Sequence, residues 1–347
     1  EMRRASGGSP FLLTEIACHG TPGSRPHGID FGTILSRRVS ALPEAARRLV
    51  ETVVLAGGPL QRAVALEASG LTTFDPDLIA NLERERLLRT TSAVGRSVLE
   101  VYHARIREAV GSGLSAQTAR ARHGDIARAL EAHHSADVFA LYGHFRAAGD
   151  APAAARYALR AGDQAAVQLA FDQAAHFYRA AIELDPVAVD LQNASTRLAE
   201  ALAHAGRGGQ SAAVFMEAGE HAAMSGRASE ALGLRCRAAE QYLLSGRIED
   251  GTRVLRLVFG EMGVRWPEST GHAVRGTLAR LPGLAIGYAF SRAREDIGVP
   301  GDARVLSDAC HVAAKGMLVV DPVRAAYFSV RALGTALRSG DVRRTGR

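Results

Sequence analysis

Lysine is almost missing from this chain. Of 42 basic Lys and Arg residues in 347, only Lys315 is a lysine. A phosphate-binding loop needs a lysine directly after its glycines to reach the terminal phosphates. Lys315 lies in VAAKGMLV, which is not such a loop, and the glycine-rich GRGG at 206–209 follows a helical pattern rather than a strand. No nucleotide-hydrolysing centre is therefore expected within these residues. Aromatic residues make up only 5%, which disfavours a β-sandwich core and favours helices packed through alanine and leucine. The three cysteines, Cys18, Cys236 and Cys310, are odd in number and form no CxxC pair. They exclude a disulfide framework and fit a reducing compartment. No apolar run reaches the roughly 20 residues that a membrane span needs, and no signal-peptide pattern opens the chain. GxSxG and HExxH are also missing.

What is present is a helix-forming composition, 47% hydrophobic with a formal charge of +6. The arginines alternate with acids, as in LERERLLR at 82–89, instead of clustering. That alternation reads as solvated helix faces and not as a nucleic-acid patch. Cys18-His19 and Cys310-His311 resemble halves of a zinc site, but adjacent helical residues point apart and both pairs sit in apolar-periodic segments. Buried structural cysteines are the better reading, and no metal is expected. His133, His134 and His144 lack an acidic or cysteine partner at fixed spacing, so they read as solvated or core histidines. Asp30-Phe31-Gly32 matches the metal-binding triplet of protein kinases. Without a catalytic loop and lysine upstream we read it as coincidence, with Asp30 capping a helix that begins at Phe31.

Along the chain, Phe11–His19 reads as a short helix and 21–28, TPGSRPHG, as a linker. A helical pattern runs from Phe31 to Ala56, punctuated by Pro43. A second helix, LQRAVALEASG, starts at Leu60 and ends at Gly70, and Asp75 caps a third with Pro76 at its first position. Two β-prone arms, Leu87–Thr91 and Ser97–Tyr102, flank a turn at Ala93–Gly95, and a helix follows the second arm. Helix, helix, helix, hairpin is the order of a winged helix. From about Ser115 onward helices recur in pairs around turns at Gly149, Gly206, Gly246 and Gly340. Ala174, Tyr178, Ala181 and Pro186 have the spacing of a tetratricopeptide second helix, and Phe215 and Ala218 repeat two of them 37 positions on. The expected fold is mainly α: a winged-helix domain, then a tetratricopeptide-like superhelix of degenerate repeats. The domain limits are 1–27, 28–118 and 119–347, with an insertion near 264–300.

The winged helix tests a DNA-binding role. A recognition helix presents bases to the groove from its N-terminal half. Here that half carries Asp75, Asp77 and Glu83 before the first arginine, Arg84. The carboxylates would repel phosphate, so DNA is not the expected partner.

Three stretches together resemble one family. GGSPFLLTEI at 7–16 resembles the GxP motif that closes the nucleotide-binding module of STAND ATPases, signal-transducing relatives of AAA+ proteins. VYHARIREAV at 101–110 resembles the stretch after their wing, and FDQAAHFYRAAIELDP and DPVRAAYFSVRAL resemble their helical-repeat sensor. The order is typical of large bacterial proteins in which a serine/threonine kinase or cyclase precedes the ATPase. The resemblance implies that this chain is the C-terminal regulatory part of such a protein, truncated at both ends and not an enzyme by itself. It implies that Pro10 packs on adenine and that His103 reaches the β-phosphate of bound ADP, with ATP or ADP and magnesium held by the intact protein. Ala104 stands where the family usually has aspartate, which puts an aspartate-dependent latch in doubt. A protein or small effector would bind the concave face of the superhelix, in the cytoplasm and with no membrane. The alternative is a transcriptional regulator combining a winged helix with a helical-repeat sensor.

Overall fold

The computed structural model describes residues 31–71, 75–93, 95–186, 190–284 and 301–339. Pro10, Cys18, Asp30 and the Gly340 turn lie outside them. The described chain is mainly helical and divides into two compact units, one up to Ala158 and one from Leu159.

The first unit starts with α1 (Phe31–Ser40) and α2 (Glu44–Leu55), separated at Pro43, whose backbone (φ −51°, ψ 147°) is extended. The proline lacks an N–H and pushes its predecessor out of the helical region, so the 31–56 pattern breaks into two helices. Leu49, Val50 and Val53 of α2 are fully buried. The expected helix at Leu60 begins two residues later. Leu60–Gln61 instead form β1, pairing antiparallel with Leu99 and Val98, and α3 runs over Arg62–Ala68. After α4 (Pro76–Arg84) come β2 (Leu88–Ala93) and β3 (Arg96–Val101), in register from Leu88↔Val101 to Ala93↔Arg96. Sheet order is β1-β3-β2, with the outer strand β2 exposed beyond Leu88. Gly95, at φ +71°, supplies the left-handed turn residue.

Four more helices follow: α5 (Ala104–Gly113), α6 (Ala116–Ala132), α7 (Val138–Ala148) and α8 (Ala151–Val167). α6 packs on α2 and α3 as well as on α7. Arg122 of α6 meets the buried Glu51 of α2 at 3.2 Å, and His133 meets Glu67 at 2.8 Å. The 118/119 boundary expected from sequence thus falls in the first turn of α6, a helix tied to the elements before it.

In the second unit α9 (Phe171–Leu184), α10 (Leu191–His204), α11 (Gly208–Met224), α12 (Ala228–Leu244) and α13 (Ile248–Glu261) each pack on the next. Their turns repeat one device. Gly206, Gly226 and Gly246 adopt φ of +75°, +75° and +79°, and the following arginine N–H reaches back to Leu202, Ala222 and Tyr242 carbonyls at 2.8–2.9 Å. This double closure satisfies carbonyls that the helix end would otherwise leave open, and only glycine adopts it without strain. Between α8 and α9 the same position is Leu169, at φ +59°. Within the array Tyr178 lies against Gly162: an added Cβ there would sit 2.6 Å from the ring. The Tyr178 hydroxyl donates to Asp163 at 2.8 Å, and Arg197 grips the same carboxylate at 2.6 Å. Ala174, Tyr178, Ala181, Phe215 and Ala218 are all buried, as their tetratricopeptide-like spacing requires.

Beyond α13 the array continues with α14 (Thr270–Leu278), α15 (Gly301–Met317) and α16 (Pro322–Ser339). Trp266, from the stretch expected to interrupt the repeats, is 8% exposed and packs with Phe259 and Phe328 in a core cluster. α15 packs on α12, α13 and α16.

Candidate functional site

His103 stands where β3 hands over to α5, with an extended backbone at φ −146°. Its Nδ1 accepts the Arg105 N–H at 3.2 Å, so the ring caps the helix. With Nδ1 as acceptor, the neutral ring carries its proton on Nε2, a nitrogen able to donate to an anionic oxygen. The half-buried ring thus has a structural duty and, on its other nitrogen, the right chemistry for a phosphate contact. Pro10, its proposed companion, lies outside the described residues. Arg105 pairs with Glu108 at 3.0 Å, and the buried Nε of Arg107 has no hydrogen-bond partner among the described residues. At the head of α4 the exposed Asp75 carboxylate accepts the Asp77 and Leu78 N–H groups, and Glu83 accepts Thr90 N–H at 2.9 Å. Two of the three acids that argue against DNA therefore also build the fold.

The three histidines singled out in the sequence go separate ways. His133 and His134 are exposed, whereas His144, on α7, is 8% exposed. Its ring faces His123 of α6, Nδ1 to Nδ1 at 2.9 Å, so one ring donates and the other accepts. Burial pushes His144 down to about 4, with the neighbouring His123 adding to the effect and Asp137 opposing it. Burial lowers His123 as well. Sequence reasoning missed His123, since a partner 21 residues away on another helix leaves no local spacing to read.

Among the described residues, each unit has a recess on its surface. In the first unit a shallow one between α1 and α5 is lined by hydroxyls, Ser36, Ser40 and Ser112, beside Arg37. In the second a cleft of about 620 Å³ separates α12 from α15. Each helix contributes one stripe. Glu230, Gly233, Arg237 and Glu240 line it from α12; Asp308, His311 and Lys315 line it from α15. Leu234, Val305 and Val312 supply apolar walls, and Cys236 lies in the floor at 3% exposure. Cys236 and Cys310 are both buried, as expected, and burial first of all pushes each thiol up to about 12. Such thiols stay protonated and are inert as nucleophiles or metal ligands. Among the described residues, no group of three or more His, Cys, Asp or Glu side chains could hold a metal ion.

No protein-family model matches the chain, and no curated protein sequence does. One solved structure matches: a Signal Transduction ATPase with Numerous Domains (STAND) protein with a tetratricopeptide repeat sensor from Pyrococcus horikoshii. It shares 14% identity at a TM-score of 0.46, over 99% of this chain and 51% of that one. This chain thus spans about half the length of that protein. A superposition that loose carries no assignment of family or function.

Proposed function

We propose that this chain is the regulatory and sensor portion of a STAND-type signalling ATPase, in which a winged helix is followed by tetratricopeptide-like repeats. The observation that carries the reading is structural order. The unit up to Ala158 holds a three-stranded sheet and its helices, one of them capped by His103, and helices around a repeated glycine turn follow it in the chain. Each helix pair in such an array leaves an apolar face that only its neighbour covers, which makes the array a continuous body suited to presenting a binding surface. Effector bound there would bias a nucleotide switch upstream, where Pro10 and His103 would contact adenine and phosphate. By linkage, nucleotide would in turn change effector affinity by the same factor. The chain itself would hold no ATP or magnesium and catalyse nothing; a kinase or cyclase module would precede the ATPase, and the location would be cytoplasmic. Among the described residues no helix is long and apolar enough to cross a membrane.

The test is ATP turnover by the intact parent protein with and without residues 119–347. A change of several-fold is expected, and identical turnover would sink the sensor role. His103→Ala in the intact protein should loosen ADP about tenfold; unchanged ADP affinity would leave His103 as a helix cap alone.

A further inference from the structure

We infer that the cleft between α12 and α15 is a binding site for an uncharged small molecule with an apolar body. The inference deepens the sensor reading and rests on it for the consequence of binding, but not for the binding itself. The cleft's volume, about 620 Å³, falls in the roughly 300–1,000 Å³ span of small-molecule sites. Leu234, Cys236 and Val312 are buried beneath it, and Val305 is half-buried in its wall. A hydrocarbon body seated there gains in proportion to the apolar area it removes from water.

Charge sets the class of ligand, because the charged side chains around the cleft already have partners. Arg237 is held by Glu200 at 2.7 Å and lies over the Phe215 ring at 4.3 Å. Glu230 is paired with Arg227 at 3.0 Å, and Asp308 is engaged as well. Lys315, 57% exposed, lies 3.9 Å from Glu240. A ligand cation on Glu240 would only take the place of Lys315 and leave that ammonium beside it. A ligand anion on Lys315 would do the same to Glu240. Either ion would also shed water against an apolar floor with no spare counter-charge to meet it, a loss that an uncharged molecule avoids. His311 lines the cleft too and, among the described residues, makes no hydrogen bond or ion pair. Its imidazole can donate or accept, which suits a hydroxyl or carbonyl on the ligand.

Gly233 supplies independent support. It lines the cleft from the interior of α12, where glycine weakens a helix. Gly219, Gly251 and Gly316 also sit inside helices, but there an added Cβ would meet a neighbour at 3.3, 2.6 and 2.4 Å, so close packing requires them. At Gly233 an added Cβ would meet nothing within 4 Å. Packing does not require that glycine, and its missing side chain is part of what keeps the cleft open.

The test titrates the whole chain by calorimetry with three probes of one shape: naphthalenemethanol, naphthylmethylamine and naphthoate, substituted at the same ring carbon. The alcohol should bind at least tenfold tighter than either ion. Gly233→Leu should fill the cleft and weaken the alcohol at least tenfold, while the thermal midpoint holds or rises because leucine is the better helix former. Gly260→Leu is the control: Gly260 of α13 is exposed, lies outside the cleft and also leaves an added Cβ without a neighbour, so the alcohol should bind that variant unchanged. Should Gly233→Leu not fold, a diazirine analogue of the alcohol decides; its label should fall on residues 228–244 or 301–317 by mass spectrometry. The inference is overturned by an ion that binds as tightly as the alcohol, by no alcohol binding at millimolar concentration, by equal losses in the two leucine variants, by a Gly233→Leu chain that binds unchanged, or by a label elsewhere. Binding as expected, with no effect of the alcohol on ATP turnover of the intact parent, would keep the cleft and remove the sensor reading. Absent binding with turnover still dependent on residues 119–347 would do the reverse.

Discussion

Leu169 holds a left-handed backbone at φ +59° while its side chain is 72% exposed. It carries the steric penalty of that conformation with little burial to offset it. Leu169→Gly should therefore stabilise the second unit by about 0.5–1 kcal/mol, read as a shifted midpoint in urea with unchanged slope. A second residue-level expectation concerns pH. His144 titrates near 4 in the folded chain against an ordinary 6.5, because burial and His123 disfavour its charge. Between those values the unfolded chain binds a proton that the folded chain refuses. Stability contributed by the neutral ring is thus fully present above about pH 6.5 and is lost as pH falls toward 4, by at most about 3 kcal/mol. His144→Asn should flatten that slope in urea titrations at pH 4.5, 5.5 and 7; an unchanged slope would move the origin elsewhere. Neither feature was legible in the sequence. A left-handed leucine looks like any leucine, whereas Gly149, Gly206 and Gly246 announce their turns because glycine alone adopts that backbone freely. The same contrast holds for His103, whose junction between strand and helix could be read locally, while the His123–His144 pair depends on tertiary packing.

Helix α6 shows how an element can belong to a different neighbour from the one its pattern suggests. Its periodicity is that of the repeats that follow, yet Arg122 meets Glu51 in a contact where the side chains are 14% and 9% exposed. Removing one partner of a pair this buried strands the other charge. Arg122→Ala should cost about 3 kcal/mol, since Arg47 at 3.8 Å from Glu51 compensates only weakly. Pairing it with Glu51→Leu should recover most of the loss, measured as a double-mutant cycle in denaturant. Strand β1 was hidden for another reason: two residues have no period, and the paired edge of β3 decides their conformation. The cleft between α12 and α15 was equally invisible. Asp308, His311 and Lys315 read as an ordinary solvated stripe until α12 is placed opposite them.

At the scale of the whole molecule, +6 of formal charge carries little weight, because many of the described arginines are paired with acids within the chain. Ion pairs such as Arg197–Asp163, Arg235–Glu261 and Arg237–Glu200 bind them at 2.6–2.7 Å. The chain should give no salt-dependent shift of duplex DNA at about 0.1 M salt in a gel assay. A shift whose affinity fell steeply with salt would instead favour the transcription-regulator reading. The helical class and the turn period were legible because they rest on apolar spacing and on glycine. The grouping of the chain into two units was not, because it depends on which faces meet.

The Gly-Arg turns at 206, 226 and 246 are spaced by 20 residues, one helix each. A gene duplication or deletion of two such helices would leave every remaining interface with the same kind of neighbour. Copy number in this array is therefore free to change in steps of one hairpin, and a binding surface built on it can lengthen or shorten without a new fold having to be found.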